Sequence, residues 1–571
     1  MVDHIAVPGY DSDRPEASSP QSLGPVDNSA TFRQSLWRER AIALLFRPSL
    51  FLLILVTVVL TRGIAQGEFF YYGDEMRHAM NGAFFRDFLV DLPLQHPLQY
   101  TYEYYAKYPA LAFPHWPPLF HFIEGVFFLL FGFSPWVSRL VVLGFALLAV
   151  YFWYRIAERF GPRYRAFLSA VILACIPFLL LYERVTMLEI PVLGACLGAI
   201  HFWLRFLETE RRRDLWTLAA FSAAALLINQ KAIFLPLFIV FDFAVERRFH
   251  LLKRFDIWLA ALVSAAAVLP WYMLASRTLS FWSGRVAGDG SYLSLGVNYT
   301  FYLTQLYKQL GPVLLCLGCV GLLLALLKRS RADRFFLIWI LSGYICFVLI
   351  REKDPRHTML WVPPLFYFGL AALETLFLRR IWALIGSTVL ALVFFVNALR
   401  SERPKVDGAK EAAEYVLSLP ESDIVYYQGY LGGDFIFFVR KFDSEKRHMV
   451  AREKQVVVSD FGQRPTKVLH TKNEILSFFQ AWGIRYAVIE DRDEFPALGP
   501  VRELMNSDQF ELLRTIPIRT NLPNFSSRQI QVFRFRGELH RTNQTVSIPM
   551  MTIRKNISAD LSRLAGRPWP N

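Results

Sequence analysis

Long apolar runs divided by short arginine clusters dominate the first 400 residues, near 42–62, 135–156, 166–182, 187–206, 214–229, 232–246, 256–275, 309–327, 333–350, 358–378 and 381–398. Each approaches the ~20 residues that about 30 Å of hydrocarbon requires, so the pattern predicts a polytopic α-helical membrane protein with about eleven transmembrane helices. Threaded alternately, Arg38/Arg40, Arg155/Arg159/Arg163/Arg165, Arg211/Arg212/Arg213, Arg247/Arg248/Lys253/Arg254, Lys328/Arg329/Arg331/Arg334 and Arg379/Arg380 share one side. The positive-inside rule makes that side cytoplasmic. The segment from Pro118 to Phe131 is apolar but short, and counting it as a span would move every later cluster outside; it reads as a juxtamembrane or re-entrant helix.

Beyond Arg400 the pattern changes to that of a soluble α/β domain. Strand candidates lie at 423–430, 434–442, 455–461, 485–491 and 528–535, with helical patterns at 408–420 and 473–483. An odd number of spans and an internal N-terminus put this domain outside. The first 40 residues are polar and rich in Pro and Ser, without the apolar core of a secretory signal, and read as a disordered cytoplasmic tail. The expected organisation is thus a tail at 1–40, a transmembrane catalytic domain at 41–400 with a first external loop at 63–117, and an extracytoplasmic α/β domain at 401–571.

The composition of the 571 residues fits: 54% are hydrophobic and only 19% charged. A formal charge of +14 raises nucleic acid as a partner, but the basic residues cluster between apolar runs, where membrane topology accounts for them, and nucleic-acid binding is not expected. The five cysteines all fall inside apolar runs and read as small buried hydrophobes. Cofactor use stays open: a divalent cation is compatible with the chemistry, but no ligand spacing indicates one.

Polar residues at the outer ends of the runs carry the candidate chemistry. YYGDEMRHAM (71–80) sets Asp74 and Glu75 just beyond the first run, and Glu183/Arg184/Glu189, Gln230/Lys231 and REKDPRH (351–357) fall on the same expected face. Charge inside a span costs on the order of 2.5–3.5 kcal/mol at a helix centre, so four such segments converging on one face point to a site.

These segments resemble, in order and sidedness, C-type membrane glycosyltransferases of the glycosyltransferase family 39, the protein O-mannosyltransferase and aminoarabinose-transferase group. The matching pieces are GDE after the first run, HWPPLFHF (115–122), FGFSPWVSRL (131–140), ERVTMLEIPVL (183–193), INQKAIFL (228–235) and DPRHTMLWVPPL (354–365). The chain departs from the family where Trp116, preceded by His115, stands in place of the usual Lys before the Pro pair, and where Glu189 stands for a common Asp. The WWD signature of oligosaccharyltransferases is absent.

The resemblance implies transfer of a sugar from a polyprenyl-phosphate-linked donor to an acceptor hydroxyl on the outer side, with inversion. The implied partners are membrane lipid, that donor and an unidentified acceptor. The implied location is a multi-pass position in a bacterial inner membrane, facing the periplasm or exterior. Such a transfer needs a base for the attacking hydroxyl and cations for the departing phosphate. Asp74 is the expected base and Glu75 a sugar or acceptor ligand. Lys231, Lys353, Arg356, His357 and His115 are the phosphate-binding candidates, and Tyr72, Lys107, Trp116, Arg184 and Glu189 the substrate-binding ones. Asp74 also suits a helix N-cap, and any of the cations suits a solvated or snorkelling surface position. A polytopic transporter is the alternative reading, and a non-catalytic scaffold a third.

Overall fold

Helix-breaking prolines and glycines divide the apolar runs into pieces of unequal length. The computed structural model describes residues 48–69, 74–112, 114–278, 299–350, 353–458, 466–491, 498–540, 545–550 and 555–568; the expected N-terminal tail and Tyr72 lie outside these. The helices are α1 (Pro48–Thr61), α2 (Asp74–Asp91), α3 (Pro97–Lys107), α4 (Leu119–Phe131), α5 (Pro135–Phe160), α6 (Arg163–Cys175), α7 (Pro177–Glu183) and α8 (Glu189–Thr209). They continue through α9 (Arg212–Ile228), α10 (Phe234–Val245), α11 (Phe255–Thr278), α12 (Phe301–Lys328), α13 (Arg331–Leu349), α14 (Pro363–Leu376) and α15 (Arg380–Arg400).

The chain is a multi-pass membrane protein, but the expected count of about eleven spans is corrected. Among the described residues six helices (α5, α8, α11, α12, α13 and α15) are long and apolar enough to cross a membrane, or seven if α6 and α7, bent by 65° at their junction, form one span. The reason is length. At about 1.5 Å per residue, helices of 12 and 14 residues (α10 and α14) reach only about two thirds of a hydrocarbon core, and α9 with 17 also falls short of it. Apolar composition had set their number; Pro177 and Pro363, each in a first helical turn, set where α7 and α14 begin. The 13-residue α4 is likewise a short apolar helix.

The cysteines are all free; Cys175 and Cys196 are buried, but Cys316 and Cys319 are exposed on α12 rather than packed inside. The outer face of α11, with Phe255, Trp258, Leu262 and Met273 exposed, suits contact with lipid chains.

The C-terminal region holds a five-stranded mixed sheet, ordered β3-β2-β6-β9-β7, built from β2 (Ile424–Gln428), β3 (Met449–Arg452), β6 (Tyr486–Glu490), β7 (Phe510–Pro517) and β9 (Gln529–Phe535). Strand β2 runs parallel to β3 and β6, whereas β9 is antiparallel to β6 and β7. Two-stranded pieces use β1 (Val406–Asp407), β4 (Val457–Val458), β5 (Thr466–Lys467), β8 (Arg519–Thr520), β10 (Thr545–Met550) and β11 (Lys555–Asp560). The principal helices here are α16 (Ala409–Leu417), α17 (Gly432–Phe442) and α18 (Lys472–Trp482). The strand expected at 434–442 is helix α17: a short apolar run is ambiguous between the two states, and Gly432-Gly433 with Asp434 in the first turn starts a buried helix there.

Leu52–Asn571 form one compact unit. One apolar core lies among the spans; a second joins Phe69, Met76, Phe84 and Tyr104 of the first loop to Tyr427, Phe435 and Phe479 of the C-terminal region. Buried polar bonds lock the same surfaces. Arg440 of α17 donates to both oxygens of Asp87 on α2 at 2.7 Å each, and Tyr104 donates to Asp87 at 2.8 Å. Burial alone would lift the Asp87 carboxyl; the Arg440 guanidinium overrides it and holds Asp87 below its ordinary range. Glu68 accepts the backbone N–H groups of Gly408, Ala409 and Lys410, capping the start of α16. A side chain on Gly433 would collide with Met76, so the close approach of α17 to α2 requires glycine. This packing fixes α2, whose first residue is Asp74.

Candidate active site

Four chain segments deliver acids and cations to one end of a cavity of about 1650 Å³. Asp74 opens α2, and Glu189 opens α8, each at a helix N-terminus, where a carboxylate is favoured by the helix dipole. Lys231 lies on a 3-10 turn (Gln230–Ile233) capped by the Asn229 side chain, which accepts the Lys231 N–H at 3.0 Å. Arg356 and His357 lie on a second 3-10 turn (Pro355–Leu360), where the Asp354 side chain accepts the Arg356 N–H at 2.8 Å.

Arg356 is shared by three carboxylates. Its guanidinium is 3.9 Å from Asp74, 3.3 Å from Glu189 and 2.5 Å from Asp354. Lys231 donates to Glu189 at 2.8 Å, and Arg77, one turn along α2, is 3.9 Å from Asp74. Burial raises the Asp74 carboxyl above its ordinary value, Arg77 and Arg356 pull it back, and Glu189 adds to the rise. Asp354 moves the other way: burial would raise it, but the bonds from Arg356 and the charge of Lys231 push it down to about 2. A carboxylate with a raised pKa beside one held firmly ionised is the separation expected of a proton acceptor and its electrostatic support.

His357 is buried, stacked on Phe347 at 4.8 Å, and paired through Nδ1 with the Tyr302 hydroxyl at 2.8 Å; burial pushes it down to about 3, so it is neutral. His115 and Trp116 line the same cavity, their rings 4.7 Å apart.

Other expected site residues serve elsewhere. Glu75 is fully buried, accepts the Thr186 N–H at 2.9 Å, and does not line the cavity. The Lys353 amine donates to the Phe347, Val348 and Ile350 carbonyls and so caps the end of α13. Arg184 donates to the carbonyls of Val59, Ala398 and Ser401, tying α1, α7 and α15 together. Lys107 is buried against the Lys446 carbonyl, and burial pushes its amine down to about 7.

The structure adds Arg77, His78, Tyr105 and Lys454 to the cavity wall. Arg77 and His78 follow Asp74 by three and four residues, a spacing that puts them on its face of a helix, and that signal was present in the sequence. Lys454 had none: it comes from a 3-10 turn (Glu453–Gln455) of the C-terminal region, with its amine pushed down to about 7 by burial. Asp74, Glu189 and Asp354 thus face Arg77, Lys231 and Arg356, with Lys454 adding a fourth cation when protonated. Among the described residues no group of three or more His, Cys, Asp or Glu side chains is placed to hold a metal ion.

Away from this polar end the cavity is apolar. Its walls are Trp203 and Phe206 of α8, Leu215 and Leu218 of α9, Phe243 of α10, and Ala261 and Val268 of α11.

Residues 115–274 match the family model for dolichyl-phosphate-mannose-protein mannosyltransferase. The crystal structure of ArnT from Cupriavidus metallidurans bound to undecaprenyl phosphate aligns with a TM-score of 0.58 at 17% identity, covering 86% of this chain and 99% of that one. Its apo state gives 0.56 at 17% identity, with 88% and 98% covered. The chain has the C-type glycosyltransferase fold. An oligosaccharyltransferase from Archaeoglobus fulgidus in its apo form aligns more distantly, with a TM-score of 0.50, 12% identity, and 77% and 69% covered. No curated protein sequence matches the chain. Within this C-type fold, the matched segment runs from His115 through α8–α10 into α11 and therefore includes Glu189, Lys231 and most of the apolar wall.

Proposed function

We propose that this protein transfers a sugar from a polyprenyl-phosphate carrier to an acceptor hydroxyl, at a membrane face turned away from the cytoplasm. The carrying observation is the continuity of one cavity: an apolar arm among α8–α11 opens onto an end that combines Asp74 with Arg356 and Lys231. A polyprenyl chain needs the first, and a glycosyl phosphate the second. The ArnT structure bound to undecaprenyl phosphate, which shares the fold, supports this choice of carrier.

In the proposed reaction the acceptor oxygen attacks the anomeric carbon while Asp74 takes its proton. The bond from that carbon to the phosphate oxygen breaks, and the lipid phosphate leaves with the electron pair. Lys231 and Arg356 meet the charge that develops there. A single displacement of this kind inverts the anomeric centre. Asp74 needs its raised pKa to accept a proton, and Arg356, already shared among three carboxylates, is oriented before substrate arrives.

Orientation follows from the two ends of the helices. Helix α8 runs from Glu189 to the Arg211–Arg213 cluster, and α11 begins beside Arg247–Arg254, so the basic clusters lie at the ends remote from the acids. Positive charge inside leaves Asp74 and the C-terminal region outside.

Mass spectrometry of lipids co-purifying with the protein tests the reading. A polyprenyl phosphate or its glycosylated form is expected with the parent and depleted in Lys231→Ala/Arg356→Ala. Absence of any such lipid from the parent, with unrelated phospholipids in the cavity instead, contradicts it.

A further inference from the structure

His78 lies one helical turn beyond Asp74 on α2, and both line the cavity. It belongs to a chain of hydrogen bonds that fixes where its proton resides. His121, at the start of α4 in the HWPPLFHF motif, hydrogen-bonds the Pro117 carbonyl. Its Nε2 faces His78 Nδ1 at 3.0 Å, so the carbonyl bond falls to Nδ1. A carbonyl only accepts; His121 Nδ1 therefore carries the hydrogen, and in a neutral ring its Nε2 is a bare acceptor. His78 must then donate from Nδ1, which leaves its own Nε2 without a hydrogen.

That nitrogen takes no hydrogen bond among the described residues, nor is it one of the polar atoms sealed away without a partner. His78 itself is buried, 1% exposed, and forms part of the cavity wall. The ring is held by Trp116, with centroids 4.2 Å apart, and by the near-parallel His121 ring at 5.2 Å. Burial, then His121 and the nearby cations, push the His78 pKa well below the ordinary histidine value, so the ring stays neutral.

We infer that His78 positions substrate: its Nε2, locked as an acceptor by His121 and Pro117, takes a hydrogen bond from a substrate hydroxyl one turn from Asp74. The donor sugar and the acceptor both carry hydroxyls, and the test separates them. The inference rests on the glycosyltransferase reading. Its structural half is tested without turnover, by ¹⁵N spectra of the full-length protein in nanodiscs, with the His78 signals assigned by their loss in His78→Phe. At pH 7, Nδ1 is expected to be protonated and Nε2 bare, with Nε2 shifting when a polyprenyl-phosphate-linked sugar isolated from host membranes is added. A protonated Nε2, or one unmoved by that lipid and by acceptor extract alike, overturns the inference.

In transfer assays with the same lipid and membrane extract as acceptor, His78→Phe, which keeps a ring against Trp116, is expected to raise one half-saturation value about three- to tenfold. A rise for the lipid places the hydroxyl on the sugar; a rise for the extract places it on the acceptor. His78→Gln, which keeps an acceptor oxygen near the Nε2 position, is expected to recover most of the loss. Unchanged kinetics in a folded His78→Phe overturn the role. A parent protein that turns over no lipid-linked sugar defeats the glycosyltransferase reading instead, and the spectra still decide the tautomer.

Discussion

Asp74 and Glu75 are neighbours with different surroundings, and their substitutions separate chemistry from architecture. Asp74→Asn is expected to lower transfer by about 10²–10⁴-fold with folding retained, measured as product formed per mole of purified protein. Glu75→Gln disturbs a buried carboxylate that accepts from the 184–188 corner, so its main expected effect is a lower melting temperature. Because burial lifts the Asp74 carboxyl, transfer is expected to rise with pH as that group ionises, along an acid limb lying above the ~3.9 of an ordinary aspartate. A parent pH–rate profile checks this, and a limb at the ordinary value would remove the raised base. Asp74 was legible in sequence because an acidic pair beside an apolar run is costly without a purpose. Arg184, Lys107 and Lys353 looked the same by that criterion, yet each bonds backbone carbonyls. A sequence states that a cation is present; it does not state whether an anion or a helix end will receive it.

At the scale of elements, the clearest dependence is that of α2 on α17. Arg440→Ala removes the two-pronged partner of buried Asp87 and leaves it Arg86 at 2.7 Å, so the expected loss lies below the about 3–5 kcal/mol of a buried pair broken outright. Denaturant or thermal unfolding of the purified protein should show that loss, and because Asp87 shares α2 with Asp74, transfer should fall with it. Hydrophobic periodicity located the long spans and, among the C-terminal strands, β2, β6 and β9. It overcounted the spans because a run of apolar residues does not reveal where a proline divides it, as at Pro177, or sets a late helix start, as at Pro363. It also mistook α17 for a strand, since nine buried residues carry no alternation of faces to separate the two states.

The whole molecule joins the first loop and the C-terminal region across one core, a long-range pairing that no local pattern encodes. Glu68 sits in that seam, and burial pushes its carboxyl up to about 7 despite the three N–H groups it accepts. A carboxyl raised on folding stabilises the protonated form, so stability from this group is present near pH 5 and declines as pH rises toward 7. Glu68→Gln does not titrate. Its melting temperature relative to the parent should therefore improve between about pH 5 and pH 7 and stay level above, and a constant difference across that window would place the charged form of Glu68 in the seam.

Lys454 reaches the cavity from the same C-terminal region, so the site is complete only when both parts of the chain are docked. The central step is sugar leaving a polyprenyl phosphate at Asp74. The direct measurement is release of polyprenyl phosphate from a labelled polyprenyl-phosphate sugar by the purified, full-length protein supplied with membrane acceptor, parent against Asp74→Asn. Acceptor-dependent release by the parent, reduced at least a hundredfold in the variant while its melting temperature is retained, is the predicted result; equal release by both, or none by the folded parent, contradicts it.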